Sequence, residues 1–127
     1  MIERLGERPK MPDGSRAAYS PMVRAGGFVF LSGQLPFDSA RSIVPGGIVE
    51  HTRQCYANVQ QSLQSIGCDL GDIVKTVNYL ANEADFQDFN RAYIGVFGET
   101  LPARSTVCAK LLMPAALEVD VIAFKAI

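Results

Sequence analysis

The residues Leu117-Glu118-Val119-Asp120-Val121-Ile122-Ala123-Phe124 form a run of β-branched and apolar side chains with a period of two. That alternation marks a strand, whose successive side chains point to opposite faces of a sheet. Leu117, Val119, Val121 and Ala123 take one face, and Glu118, Asp120, Ile122 and Phe124 the other. Both faces are largely apolar, so the sheet that holds this strand needs cover on both sides. Phe28-Val29-Phe30-Leu31, four apolar residues in succession after the Gly26-Gly27 turn, makes the same demand.

Helical cover is limited. Thr52, Cys55, Tyr56, Val59, Leu63 and Ile66 recur at three- and four-residue spacing, which predicts a helix over 48–66 closed by a left-handed Gly67. A second helix opens near Asn82, a good N-cap with Glu83 and Asp85 in its first turn. It carries Phe86, Phe89, Tyr93 and Phe97 on one stripe, read as core, and ends at Gly98. The other extended segments are 1–5, 17–23 (interrupted by Pro21), 72–80 and 104–112. Ser32-Gly33-Gln34 reads as a break after the strand at 28–31, and 36–47 as a loop. The sum is an α+β domain spanning 1–127, with a mixed sheet of about six strands and two helices on one face. The second face is left for oligomerisation, because a monomer rarely leaves a large apolar surface open.

A net charge of −1, from 12 basic and 13 acidic residues spread along the chain, provides no cationic footprint for nucleic acid or an anionic membrane surface. No apolar run approaches the ~18 residues of a spanning helix. The chain reads as soluble and cytoplasmic. Three cysteines without paired spacing read as free thiols, and a single histidine, His51, provides neither a zinc site nor a Ser-His-Asp triad. His51 itself reads as a surface residue at a helix start.

Chemistry points to Leu101-Pro102-Ala103-Arg104-Ser105-Thr106-Val107. Pro102 fixes the backbone just before Arg104 and the β-branched residues extend it, so Arg104 sits at the mouth of a strand. Arg104, Thr106 and Cys108 share one face, the polar one. A guanidinium grips a carboxylate with two parallel hydrogen bonds, which a lysine cannot reproduce; a structural ion pair is the competing reading. Asp120, a carboxylate within an apolar strand, is paired, exposed on an edge, or functional. A hairpin turning at 113–116 pairs Leu112 with Leu117 and sets Asp120 opposite Ala109. Arg104 then lies roughly 17 Å from it along the strand. A shared site requires an offset or curved pairing, or a subunit contact.

Taken together, PARSTV at 102–107, LSGQLP at 31–36, FNRAY at 89–93 and LEVDVIAF at 117–124 make the chain resemble the YjgF/RidA (reactive intermediate/imine deaminase) family over nearly its whole length. The resemblance implies a chorismate-mutase-like homotrimer with clefts between subunits. It implies hydrolysis of small 2-imino acids, such as those arising from 2-aminoacrylate, to 2-oxo acids and ammonia, without a metal or organic cofactor. Arg104 falls on the arginine that holds the substrate carboxylate. Asp120 takes the place where many members carry a water-handling glutamate, and is shorter by about 1.5 Å. Ser32 and Gly33 match the family's Ser-Gly pair and Asn90 a cleft asparagine. Thr106 replaces the cysteine common after PARS, leaving backbone contacts to ligand, and Met22 stands where a tyrosine is often found. The competing readings are a trimeric protein that binds small carboxylate ligands with little deaminase activity, and an endoribonuclease. The missing basic patch and lone His51 argue against the latter.

Overall fold

The computed structural model describes residues 1–127. Its strands are β1 (Ile2–Leu5), β2 (Met22–Ala25), β3 (Phe28–Gln34), β4 (Ile73–Leu80), β5 (Ala103–Cys108) and β6 (Leu117–Phe124), and its α-helices are α1 (Ile48–Gln64) and α2 (Phe86–Phe97). They form one six-stranded sheet in the order β1-β2-β3-β6-β4-β5. Only β4 and β5 run parallel, with α2 as the crossover between them; every other pair is antiparallel. The architecture is the α+β mixed sheet with two helices that the periodicities predict.

Both helices lie on the face of β6 that carries Leu117, Val119, Val121 and Ala123, none of them more than 1% exposed. Against these, α1 sets Cys55, Tyr56, Val59 and Leu63, and α2 sets Phe89, Tyr93 and Phe97. Tyr56 stands edge-on to Tyr93 at 5.5 Å and to Phe97 at 5.2 Å, a favoured aromatic geometry. Gly67, at φ +82°, supplies the left-handed turn after α1. The Asn82 side chain accepts from the Ala84 N–H but caps a single 3-10 turn, so α2 proper starts at Phe86.

On the opposite face no helix covers the sheet. Phe28, Phe30, Val74, Val107 and Phe124 remain 41–45% exposed there. Alternation along β6 is as read from sequence, and its outer face is the one left open.

Three expectations are corrected. There is no hairpin between β5 and β6: the link at 109–116 carries the chain past β4, and β6 inserts between β3 and β4. Asp120 therefore pairs with Val77 rather than Ala109, and β5 stops at Cys108. Ser32-Gly33-Gln34 does not end its strand; β3 continues to Gln34 through an irregularity in its pairing with β6 between Leu31 and Gln34. His51 is buried rather than superficial, at 5% exposure. Its Nε2 donates to the Val44 carbonyl at 2.9 Å, and its Nδ1 accepts from the Ala116 N–H at 3.0 Å. The ring thus ties the start of α1 to the loop before it and to the segment entering β6.

Candidate functional site

Arg104 lies on β5, an edge strand, one residue after the start that Pro102 imposes. The ladder places it beside Thr76 of β4, which is in turn beside Val121 of β6, so all three point towards the helices. Its face is thus the better-buried side of β5, while Ser105 and Val107 are exposed on the other. The guanidinium carbon sits over three rings of α2, 4.9 Å from the centroid of Tyr93, 5.4 Å from Phe89 and 5.9 Å from Phe86. Cation–π attraction orients such a group without neutralising it. Arg104 joins neither of the ion pairs in the chain, and its side chain donates no hydrogen bond within it.

The layer beneath contains no counter-charge. Tyr56 Oη donates to Asn78 Oδ1 at 2.5 Å, Asn78 Nδ2 donates to Thr76 Oγ1 at 3.1 Å, and the Thr76 and Tyr93 hydroxyls are hydrogen-bonded to each other at 2.7 Å. Burial pushes both phenols above their ordinary range, so this network is neutral. Thr106, the next residue on the Arg104 face, has a buried Oγ1 without a partner, and so has the Oδ1 of Asn90, on the flank of α2 between Phe86 and Tyr93. The guanidinium is thus without an acceptor that an external anion could supply, while the orphaned oxygens of Thr106 and Asn90 are themselves closed off from solvent.

The remaining candidates gather across the sheet. At the irregularity in β3, the Ser32 N–H donates to the Pro21 carbonyl at 3.0 Å and its Oγ to the Ser20 carbonyl at 2.6 Å. The absence of a side chain at Gly33 lets a carboxylate approach: a Cβ there would come within 2.3 Å of Glu118 Oε2, the far end of a flexible side chain, and within 3.5 Å of Asp120 Oδ1, an ordinary contact. A distorted ladder commonly re-aims groups beside a site, and here it brings the Gly33 backbone up to two carboxylates. Tyr79 Oη donates to the other oxygen of Asp120, Oδ2, at 2.8 Å. Burial, and then the neighbouring Asp120, raises the Glu118 carboxyl above its usual range. Neither carboxylate pairs with a cation.

Six candidates thus fall into two groups: Arg104, Thr106 and Asn90 on the helix side, and Ser32, Gly33 and Asp120 on the open side. β4 separates β5 from β6, a lateral offset of about 10 Å at the usual strand spacing, and the two groups point in opposite directions. Sequence reasoning passed over Tyr79, whose only signal was its even spacing from Val77 in a strand, and gave the three α2 rings no part in seating Arg104.

Residues 10–125 match the family model described as endoribonuclease L-PSP. This chain belongs to the YjgF/RidA family. Among curated relatives in the family, a RutC family protein of Pyrococcus horikoshii is 38% identical over 109 residues, covering 84% of this chain and 86% of that protein. The 2-iminobutanoate/2-iminopropanoate deaminase of Mus musculus is 36% identical over 107 residues, covering 83% and 79%. Among solved structures, the Rid family protein YyfA of Yersinia pestis superposes with a TM-score of 0.86 at 29% identity, covering 98% of this chain and all 100% of that one. Family and fold are therefore as the sequence motifs imply, and relatives in the family are named as imine deaminases.

Proposed function

We propose that this protein is a hydrolytic deaminase of small 2-imino acids, producing 2-oxo acids and ammonia. The observation that carries the reading is Arg104, a half-buried guanidinium seated on aromatic rings with no partner in its own chain. A substrate carboxylate supplies the missing acceptors, and two charge-assisted hydrogen bonds fix its plane. The deaminase names of relatives such as the mouse protein support the same chemistry.

In this reading water adds to the imine carbon, and Asp120 takes one of its protons. Starting from the protonated imine, this gives a neutral carbinolamine; Asp120 returns its proton to the carbinolamine nitrogen, which leaves as ammonia while the hydroxyl proton passes back to Asp120 and then to solvent. The product is the 2-oxo acid. Arg104 and Asp120 lie on opposite faces of one sheet, so this chemistry needs Arg104 of one subunit to meet Asp120 of another. We place that meeting in a homotrimer closed over the open sheet face. Burying the remaining exposure of Phe28, Phe30, Val74, Val107 and Phe124 contributes about 1 kcal/mol for each side chain, enough collectively to hold subunits together.

The test is ammonia release from 2-iminopropanoate generated in situ by an amino-acid oxidase. Acceleration over the spontaneous rate that is lost in Arg104→Ala supports the proposal. Tight binding of 2-oxo acids with no acceleration would instead identify a carboxylate-binding protein.

A further inference from the structure

A cleft of about 500 Å³ lies beside the start of β2, with Arg4, Gly6, Arg8, Tyr19, Ser20 and Pro21 in its wall and no carboxylate. Arg4 is in register with Val23, and Val23 with Phe30, so its side chain points to the open sheet face while Glu3 points to the other. Gly6, at φ +86°, turns the chain tightly after β1, where a Cβ would lie 3.0 Å from that of Pro21. The turn brings Arg8 back over the segment before β2. Its Nε donates to the Ala17 carbonyl at 2.7 Å and its Nη2 to the Arg16 carbonyl at 3.4 Å, which fixes the guanidinium and leaves Nη1 free. Neither guanidinium joins an ion pair; the adjacent acid, Glu7, lies 3.8 Å from Arg16 instead.

This cleft adjoins the Ser32-Gly33 end of the proposed site. Ser20 and Pro21, in its wall, are also the acceptors of both Ser32 hydrogen bonds, from Oγ at 2.6 Å and from the N–H at 3.0 Å. One backbone, an interstrand step of about 4.8 Å, therefore separates the cleft from Ser32-Gly33. We propose that Arg4 and Arg8 bind the second, side-chain carboxylate of the substrate, so that the preferred substrates are 2-imino diacids. This rests on the deaminase reading, in which Arg104 of a neighbouring subunit holds the first carboxylate, and it names the substrate class. The reach is sufficient: in a five-carbon diacid the side-chain carboxyl carbon lies on the order of 4 Å from the imine carbon, and a hydrogen bond to a guanidinium adds about 3 Å. Charge points the same way. Glu118 and Asp120 make the Gly33 side of the open face acidic, so a second substrate carboxylate is accommodated only towards the cations. Both arginines are exposed, and solvent screening limits the gain to about tenfold rather than about a hundredfold.

The experiment compares two imines of equal chain length, 2-iminoglutarate and 2-iminopentanoate, generated in situ by amino-acid oxidases. The parent protein is expected to favour the diacid about tenfold in kcat/KM, with the difference carried by KM. Arg4→Gln should bring that ratio towards one, and Arg4→Glu should take it below one, because the reversed charge repels the second carboxylate. Arg4 has no side-chain partner in the fold, so both variants should melt with the parent; Arg8→Gln, which also loses the Ala17 contact, is the supporting case. Calorimetry with 2-oxoglutarate and 2-oxopentanoate should show the same ratio in Kd, and inorganic phosphate should compete with 2-oxoglutarate. A parent ratio near one overturns the inference, as does an equal loss for both imines in the Arg4 variants. Phosphate that binds without competing makes the cleft a separate anion site and overturns it too. If 2-iminopentanoate is hydrolysed and the diacid is not preferred, the deaminase reading stands and only the diacid assignment falls. If neither imine is hydrolysed faster than in buffer, both fall together.

Discussion

Replacing Arg104 by alanine removes two charge-assisted hydrogen bonds to a ligand carboxylate. Each is worth about 1.5–3 kcal/mol, and because the group is only half-buried the lower value applies to both. The expected loss is about 3 kcal/mol, on the order of a hundredfold in Kd. Little stability should go with it. Arg104 makes no ion pair or hydrogen bond in its own chain, and its stacking on Tyr93, Phe89 and Phe86 contributes about 1 kcal/mol or less. Titration calorimetry with pyruvate, beside thermal melts of both proteins, measures the two quantities on one preparation. Arg104→Lys should recover only part of the affinity, since an ammonium cannot present the planar fork. An alanine variant that binds pyruvate as tightly as the parent would sink the clamp, and one that melts far below it would make Arg104 a structural residue.

Asp120→Asn should retain pyruvate affinity and lose imine turnover in single-turnover assays, because the amide cannot accept a proton. Gly33→Ala should lower turnover with little change in fold, since the added Cβ makes the flexible Glu118 carboxylate swing away from its place beside Asp120; unchanged kinetics would remove the Gly33 approach from the site. For His51→Ala we expect a stability loss of about 2–3 kcal/mol, seen in urea melts, because the Ala116 N–H and Val44 carbonyl lose their partner. Glu118 titrates above its ordinary value of 4.5, so folding disfavours its charge and its stabilising contribution is lost as pH rises through the raised value. Glu118→Gln should therefore raise the melting temperature at about pH 7 and not at about pH 4. Phe30→Glu on the open face should shift sedimentation towards monomer, and a wild-type protein that sediments as a folded monomer at micromolar concentration would contradict the trimer.

The fold was legible wherever a periodic pattern met a one-sided environment. Leu117 to Phe124 alternates because one face meets two helices, and the stripes of α1 and α2 repeat because each packs on that same face. Strand order was not legible, because the short link 113–116 has the composition of a turn whichever strand comes next. The pairing of Arg104 with Thr76, and of Asp120 with Val77, depends on β6 passing to the far side of β4, and no local residue encodes that. Residue types at the site were readable from their chemistry. Their division between two faces was not, nor were the orphaned oxygens of Asn90 and Thr106, because burial is a property of the assembled sheet. His51 was misread for a related reason: its flanking charges are exposed, while its own ring turns inward to two backbone groups.

The place of β6 in the sheet also has a consequence for how the protein is made. β6 is the last of the six strands in chain order, yet it is the only strand that joins β1-β2-β3 to β4-β5. Until residues 117–124 leave the ribosome, the nascent chain holds two separate ribbons, each with an unpaired inner edge of the kind that recruits other strands. Closing the sheet then requires contacts far apart in sequence, such as Phe28 with Phe124, which slows folding. Translation pauses before Leu117 should therefore be the moments when this protein most needs a chaperone, and substitutions that weaken β6 should reduce its yield in cells more than its stability once folded would suggest.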